Sequence, residues 1–222
     1  MQDGPDSNQN GIHAAAQADP SLLGMGTTIT AAMVDGDALV LAHVGDSRAY
    51  LLRAGRLSQL TDDHSLVGEL IRRGALTPEE AERHPQRSVI TRALGVDDDV
   101  QVDALRVDLE PGDVVLLCTD GVSAAIGDAS IREALADGAS LGDAALALLA
   151  AADASGGEDN ATVVLARVGE GDVSIACWEP GQVSPYHCHP DATEIYFCFE
   201  GGGKMRTPER IVEIAPGSFV VH

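Results

Sequence analysis

The chain has 222 residues, with 14 Lys and Arg against 35 Asp and Glu and a formal net charge of -21. That length holds one large domain or two modest ones, and so acidic a surface excludes nucleic acid and anionic membrane as expected partners. No apolar run approaches the roughly 20 residues that span a bilayer, and the first twenty residues lack the basic start and apolar centre of a secretory signal. The four cysteines (118, 177, 188 and 198) form no CxxC pair, which predicts reduced thiols in a cytoplasmic protein.

In chain order, residues 1–20 are polar with an alanine patch and read as the end of a helix. Gly24-Met25-Gly26-Thr27-Thr28 opens an alternating strand to Val34. Asp35-Gly36-Asp37 turns it into a second strand over 38–44. Gly45-Asp46-Ser47 breaks that strand, and 48–53 resumes as a third, turned by Ala54-Gly55. A helix follows, with Leu66, Val67, Leu70 and Ile71 on one side and Gly74 at its end. Thr77-Pro78-Glu79-Glu80 has the form of a capping box with proline at the first helical position, and His84-Pro85 stops that helix. Residues 88–94 and 100–109 are further strand candidates, the second alternating. After the central strand, helices are expected over about 129–136 and 140–154, the latter almost wholly Ala and Leu. The pattern is an α+β layered fold.

The central strand is Val114-Val115-Leu116-Leu117-Cys118, introduced by Pro111-Gly112-Asp113 and ending in Thr119-Asp120-Gly121. Gly156-Gly157-Glu158-Asp159-Asn160 stands before another apolar strand, 161–168. Carboxylates at the ends of two buried strands suit Mg²⁺ or Mn²⁺, which prefer oxygen donors on rigid elements. By spacing alone, Asp120 and Asp159 read first as turn caps, since Asp before Gly or Asn is ordinary turn chemistry. Their neighbouring motifs change that reading.

The motifs are Gly24-Met25-Gly26-Thr27-Thr28, Val44-Gly45-Asp46-Ser47-Arg48-Ala49-Tyr50-Leu51 and Leu60-Thr61-Asp62-Asp63-His64-Ser65. His84-Pro85-Gln86-Arg87-Ser88-Val89-Ile90-Thr91-Arg92-Ala93-Leu94-Gly95, Pro111-Gly112-Asp113, Thr119-Asp120-Gly121 and Asp159-Asn160-Ala161-Thr162-Val163-Val164 follow. In this order they resemble the bacterial metal-dependent (PPM-type, type 2C) Ser/Thr protein phosphatases. The resemblance implies two packed sheets flanked by helices and two Mn²⁺ or Mg²⁺ ions. It also implies hydrolysis of phosphoserine and phosphothreonine in proteins by a metal-activated water. Asp120 and Asp159 match the pair that holds one ion. Asp46 and Asp120 match positions that bind a further, weaker one. Asp63, His64 and Arg87 match the flap beside the site, with a structural rather than catalytic part; His64 reads as a residue at a helix N-terminus. Ala124 stands where the family has an aspartate, which weakens the further site. The family's N-terminal third, with its ion-bridging Asp-Gly, has no counterpart here. The expectation is therefore a truncated phosphatase, inactive alone, or alternatively a non-catalytic pseudophosphatase that senses a metal or small ligand.

Composition changes near Gly169-Glu170-Gly171-Asp172. Tyr50 is the sole aromatic before residue 177, whereas Trp178, Tyr186, Tyr196, Phe197, Phe199 and Phe219 follow it. This divides the chain into 1–168 and 172–222. In the second part, His187 and His189 alternate along a strand and share a face, and Glu194 opens the next strand. Two imidazoles and a carboxylate suit Fe, Mn, Ni or Zn. The spacing from Gly181 to Gly201 resembles the first motif of the cupins, which implies the first half of a small β-barrel (jelly roll) with a small ligand. His222 falls too early to be the cupins' fourth ligand.

Overall fold

The computed structural model describes residues 5–97, 99–135, 140–157, 159–169, 172–178, 195–197, 203–206, 211–214 and 219–221. Helix α1 (Pro5–Ala18) and a 3-10 turn (Pro20–Leu22) lead into strands β1 (Ile29–Asp35), β2 (Ala38–Val44), β3 (Arg48–Arg53) and β4 (Arg56–Gln59). Helices α2 (Leu66–Arg72) and α3 (Pro78–Glu82) precede β5 (Asp103–Asp108) and β6 (Val114–Cys118). Helices α4 (Asp120–Ser123), α5 (Asp128–Ala134) and α6 (Leu141–Ala154) follow, then β7 (Ala161–Arg167) and β8 (Asp172–Trp178).

The strands form two antiparallel sheets, one ordered β1-β2-β5 and the other β4-β3-β6-β7-β8. Leu39 and Leu41 of β2 meet Ala49, Leu51 and Val115 of the larger sheet in a core between them. The opposite face of that sheet presents Tyr50, Leu52, Val114, Leu116 and Cys118 to Ile131, Leu141, Ala145, Leu148 and Leu149 of the helices. β6 is thus covered on both faces, which is why its sequence is an unbroken apolar run rather than an alternating one. Ser140 caps α6, its hydroxyl accepting the Asp143 N–H at 3.0 Å. The β3–β4 turn places Ala54 (φ 49°) and Gly55 (φ 74°) in the left-handed region, the backbone that a two-residue hairpin requires.

One expectation changes. Residues 88–94 form no strand. They run as turns tied down by isolated bridges, Ser65 to Ile90 and Thr27 to Leu94. The compositional break at 169–172 lies at a chain reversal within one sheet. Asp172–Trp178 returns antiparallel to β7, from Arg167 opposite Asp172 to Ala161 opposite Trp178, and runs beside α6. Further on, β9 (Ile195–Phe197) pairs with β12 (Phe219–Val221), and β10 (Gly203–Arg206) with β11 (Ile211–Ile214). His187, His189, Glu194 and His222 lie outside the described residues.

Candidate metal centre

Asp120 leaves the end of β6 and Asp159 stands just before β7, and these are paired neighbours in the sheet. The last ladder pair is Cys118 with Val163. Beyond it the Thr119 N–H donates to the Thr162 carbonyl at 3.1 Å, and the Thr162 N–H donates to Thr119 Oγ1 at 3.0 Å. At the next residue the two backbones come closer still. A Cβ on Gly121 would collide with the Asn160 carbonyl, whose carbon would lie 2.8 Å away. The glycine of Thr-Asp-Gly is therefore a packing requirement that brings the two aspartate turns together. Asp120 Oδ1 accepts the Gly121 N–H at 2.9 Å, and Asp159 Oδ1 accepts the Asn160 N–H at 2.7 Å. Asp120 is half-buried and Asp159 exposed.

Asp46 arrives from the other side. Gly45, at φ 119°, ends β2 in the smaller sheet, and β3 begins at Arg48 in the larger one. Arg48 lies opposite Cys118, so the Asp46 turn sits beside the Asp120 turn. Burial and then the charge on Asp120 push the Asp46 carboxyl up to about 6. Burial and then the charge on Asp159 raise Asp120 as well. For Asp46 and Asp120 alike, burial is the larger cause and the neighbouring carboxylate the second.

The residues before α2 brace this turn. Asp63 receives a fork from Arg48, with Nε 2.9 Å from Oδ1 and Nη2 2.7 Å from Oδ2. Arg48 also donates to the Tyr50 hydroxyl at 3.0 Å, which in turn donates to Asp128. His64 lies just ahead of the Ser65 N-cap of α2 and is 2% exposed. Its buried ring is engaged on both nitrogens, by Gly45 and by Asp103. Arg87 is exposed on the turn after α3, its backbone N–H donating to the His84 carbonyl. The structure thus brings Asp46, Asp120, Asp159 and Asp63 into one electrostatic neighbourhood and places Arg87 at the surface. Arg48, His43, Arg92 and Asp103, which no spacing rule singles out, belong to the bracing. Arg48 and Arg92 stand within the motifs quoted above, but nothing in the sequence pairs them with His43 or Asp103.

Carboxylate oxygens are the donors that Mn²⁺ and Mg²⁺ take, and mutual repulsion among them is what a bound cation relieves. Among the described residues, no group of three His, Cys, Asp or Glu side chains is placed to share one ion.

The family model for protein phosphatase 2C matches residues 6–137. The chain belongs to the protein phosphatase 2C family. It is 43% identical over 150 residues to the serine/threonine phosphatase stp of Listeria innocua, a match covering 68% of this chain and 60% of that protein. It is also 43% identical over 161 residues to the protein phosphatase PhpP of Streptococcus pneumoniae, covering 72% and 65%. The match thus spans about three fifths of these curated relatives' length. The crystal structure of the Mycobacterium tuberculosis serine/threonine phosphatase PstP/Ppp superposes with a TM-score of 0.68 at 44% identity, over 72% of this chain and 67% of that one. The catalytic domain of PstP in complex with two manganese ions gives a TM-score of 0.66 at 41% identity, covering 72% and 66%. The phosphatase 2C architecture, two antiparallel sheets with helices, is that of this chain.

Proposed function

We propose that this phosphatase 2C chain hydrolyses phosphoserine and phosphothreonine in proteins, with Mn²⁺ or Mg²⁺ held at the Asp120–Asp159 edge and a weaker ion between Asp46 and Asp120. The observation that carries the reading is the junction of the β6 and β7 ends, where the close approach of Gly121 to the Asn160 carbonyl brings the two aspartate turns together. The bound metal would supply an acidified water and neutralise phosphoryl oxygens. The chain's own part is to hold the three carboxylates at the junction, Asp46 and Asp120 half-buried and Asp159 exposed. Arg48 and Asp63 keep the Asp46 turn against that junction, and the loop through Arg87 borders the approach to it. Phosphoproteins as partners and a cytoplasmic setting belong to the same reading; no helix among the described residues is long and apolar enough to cross a membrane.

In this reading the phosphatase part continues through β8. The segment after it, with His187, His189 and Glu194, is a cupin-like site for Fe, Mn, Ni or Zn and a small ligand. That part is supported by its motif spacing alone.

The test of the main function is phosphate release from a phosphothreonine peptide with 1 to 5 mM MnCl₂ added, for the full chain and for Asp120→Asn. Turnover that needs Mn²⁺ is expected, falling in the variant by at least the roughly 10- to 100-fold that loss of even an outer-shell partner of a metal ligand costs. Mn²⁺ binding with no phosphate release would sink the catalytic reading.

A further inference from the structure

His64 does more than fill space ahead of a helix. Its backbone N–H donates to the Gly45 carbonyl at 2.7 Å, while its ring Nδ1 accepts the Gly45 N–H at 2.9 Å. One residue therefore holds both polar groups of another, and the held residue directly precedes Asp46. Because Nδ1 accepts, the neutral ring carries its proton on Nε2. That proton points to Asp103 Oδ2, 3.0 Å away, and Arg92 Nη1 lies 2.9 Å from the same nitrogen. Asp103 is itself fixed by Arg92 Nη1 at 2.6 Å from its other oxygen. The orienting chain is thus Arg92, Asp103, His64, Gly45.

The neighbours of His64 tie down the same turn. The Asp62 carbonyl accepts from His43 Nε2 at 3.1 Å, and Asp63 holds Arg48. Three consecutive residues, 62 to 64, are stitched to the strand ends on either side of Asp46. Gly45 has no slack, since a Cβ there would run into the Thr28 side chain and its φ is 119°. A turn in the left-handed region, carrying a half-buried charge toward another carboxylate, needs such bracing to keep its shape.

We propose that His64 is a positioning residue for the metal site: through its Nδ1 bond to the Gly45 N–H it fixes the turn that presents Asp46 to Asp120. This rests on the metal reading above. It differs from the sequence expectation, in which His64 only begins a helix.

Two variants separate the bonds that the ring makes. His64→Asn places its amide oxygen near the position of Nδ1 and keeps the Gly45 bond, while losing Asp103. His64→Gln reaches toward Asp103 and leaves the Gly45 N–H unpaired. Mn²⁺ affinity of the full chain, read from the free-ion EPR signal, and metal-free amide hydrogen exchange at residues 45–47 are measured for both. His64→Gln is expected to weaken Mn²⁺ binding and speed exchange by about tenfold, the worth of one hydrogen bond. His64→Asn should stay within about twofold of wild type in both. A role confined to general stability would make the two variants equally poor, and that result, or no change in His64→Gln, overturns the proposal. If Asp120→Asn binds Mn²⁺ as tightly as wild type, the metal reading falls, and the exchange comparison alone decides whether His64 holds the turn.

Discussion

Asp46 sits where two unfavourable effects add, loss of water and the charge of Asp120, and together they raise its pKa to about 6. A carboxylate whose folded pKa lies above its unfolded one binds more protons when folded. It therefore costs nothing below the ordinary carboxylate range and destabilises increasingly as pH rises through 6. Asp46→Asn keeps the shape and removes the charge. It should raise the melting temperature of the metal-free chain at pH 7.5 by about 2–4 °C, corresponding to about 1 kcal/mol, and leave it unchanged at pH 4. Differential scanning calorimetry at the two pH values checks both halves. A melting point equally raised at both would show that packing, not charge, is responsible. Asp113 illustrates the opposite sign. It is 2% exposed, and burial alone would raise its pKa. The Arg53 fork and the Glu110 N–H outweigh burial and hold it below the usual value. Stability from this pair is present above the ordinary carboxylate range and is lost as pH falls through the depressed value. In urea titrations, Arg53→Ala should lower the midpoint at pH 7, and the gap to wild type should close toward pH 2.

At the scale of elements, the site is made by two junctions rather than by any one helix or strand. The β6–α4 junction and the entry to β7 meet through Gly121 and Asn160, while Gly45 carries the chain from one sheet to the other. Gly121→Ala puts a methyl group into the Asn160 carbonyl. Relief requires the two strand ends to separate, at a cost of about 1–3 kcal/mol. The expected outcome is a lower urea midpoint together with weaker Mn²⁺ binding, measured on the same protein. A stable Gly121→Ala chain with undiminished Mn²⁺ affinity would show that the junction does not govern the carboxylates. The α6 helix behaves differently. Its Ala and Leu residues bury one face against β6 and β7, so its contribution is apolar area and acts on the site through the sheet.

Over the whole molecule, the surface carries a net charge of -21, and part of that excess is gathered beside Asp46, Asp120 and Asp159. Such a field draws divalent cations toward the edge and repels free phosphate. A phosphoprotein approaching the site therefore gains from cations already in place.

How much was legible in advance follows from the kind of physics involved. The apolar run of β6, the alternation of β2, the capping box at Thr77 and the order of the motifs are local patterns. Periodicity and turn chemistry act over a few residues, so they were enough to indicate an α+β fold, while the order of the motifs carried the resemblance to the family. The turns over 88–94 read as a strand because Val89, Ile90 and Leu94 have strand propensity. Their backbone groups instead bond to Leu66, His64 and Thr27, residues too remote for any window to weigh. The same is true of β8, whose place beside β7 depends on ladder bonds, and of His64, whose ring finds Gly45 and Asp103 only once the sheets have met. Local pattern determined which strands, helices and turns form. Long-range pairing alone decided which of them face one another, because hydrogen bonds and charges act through distance in space and not along the chain.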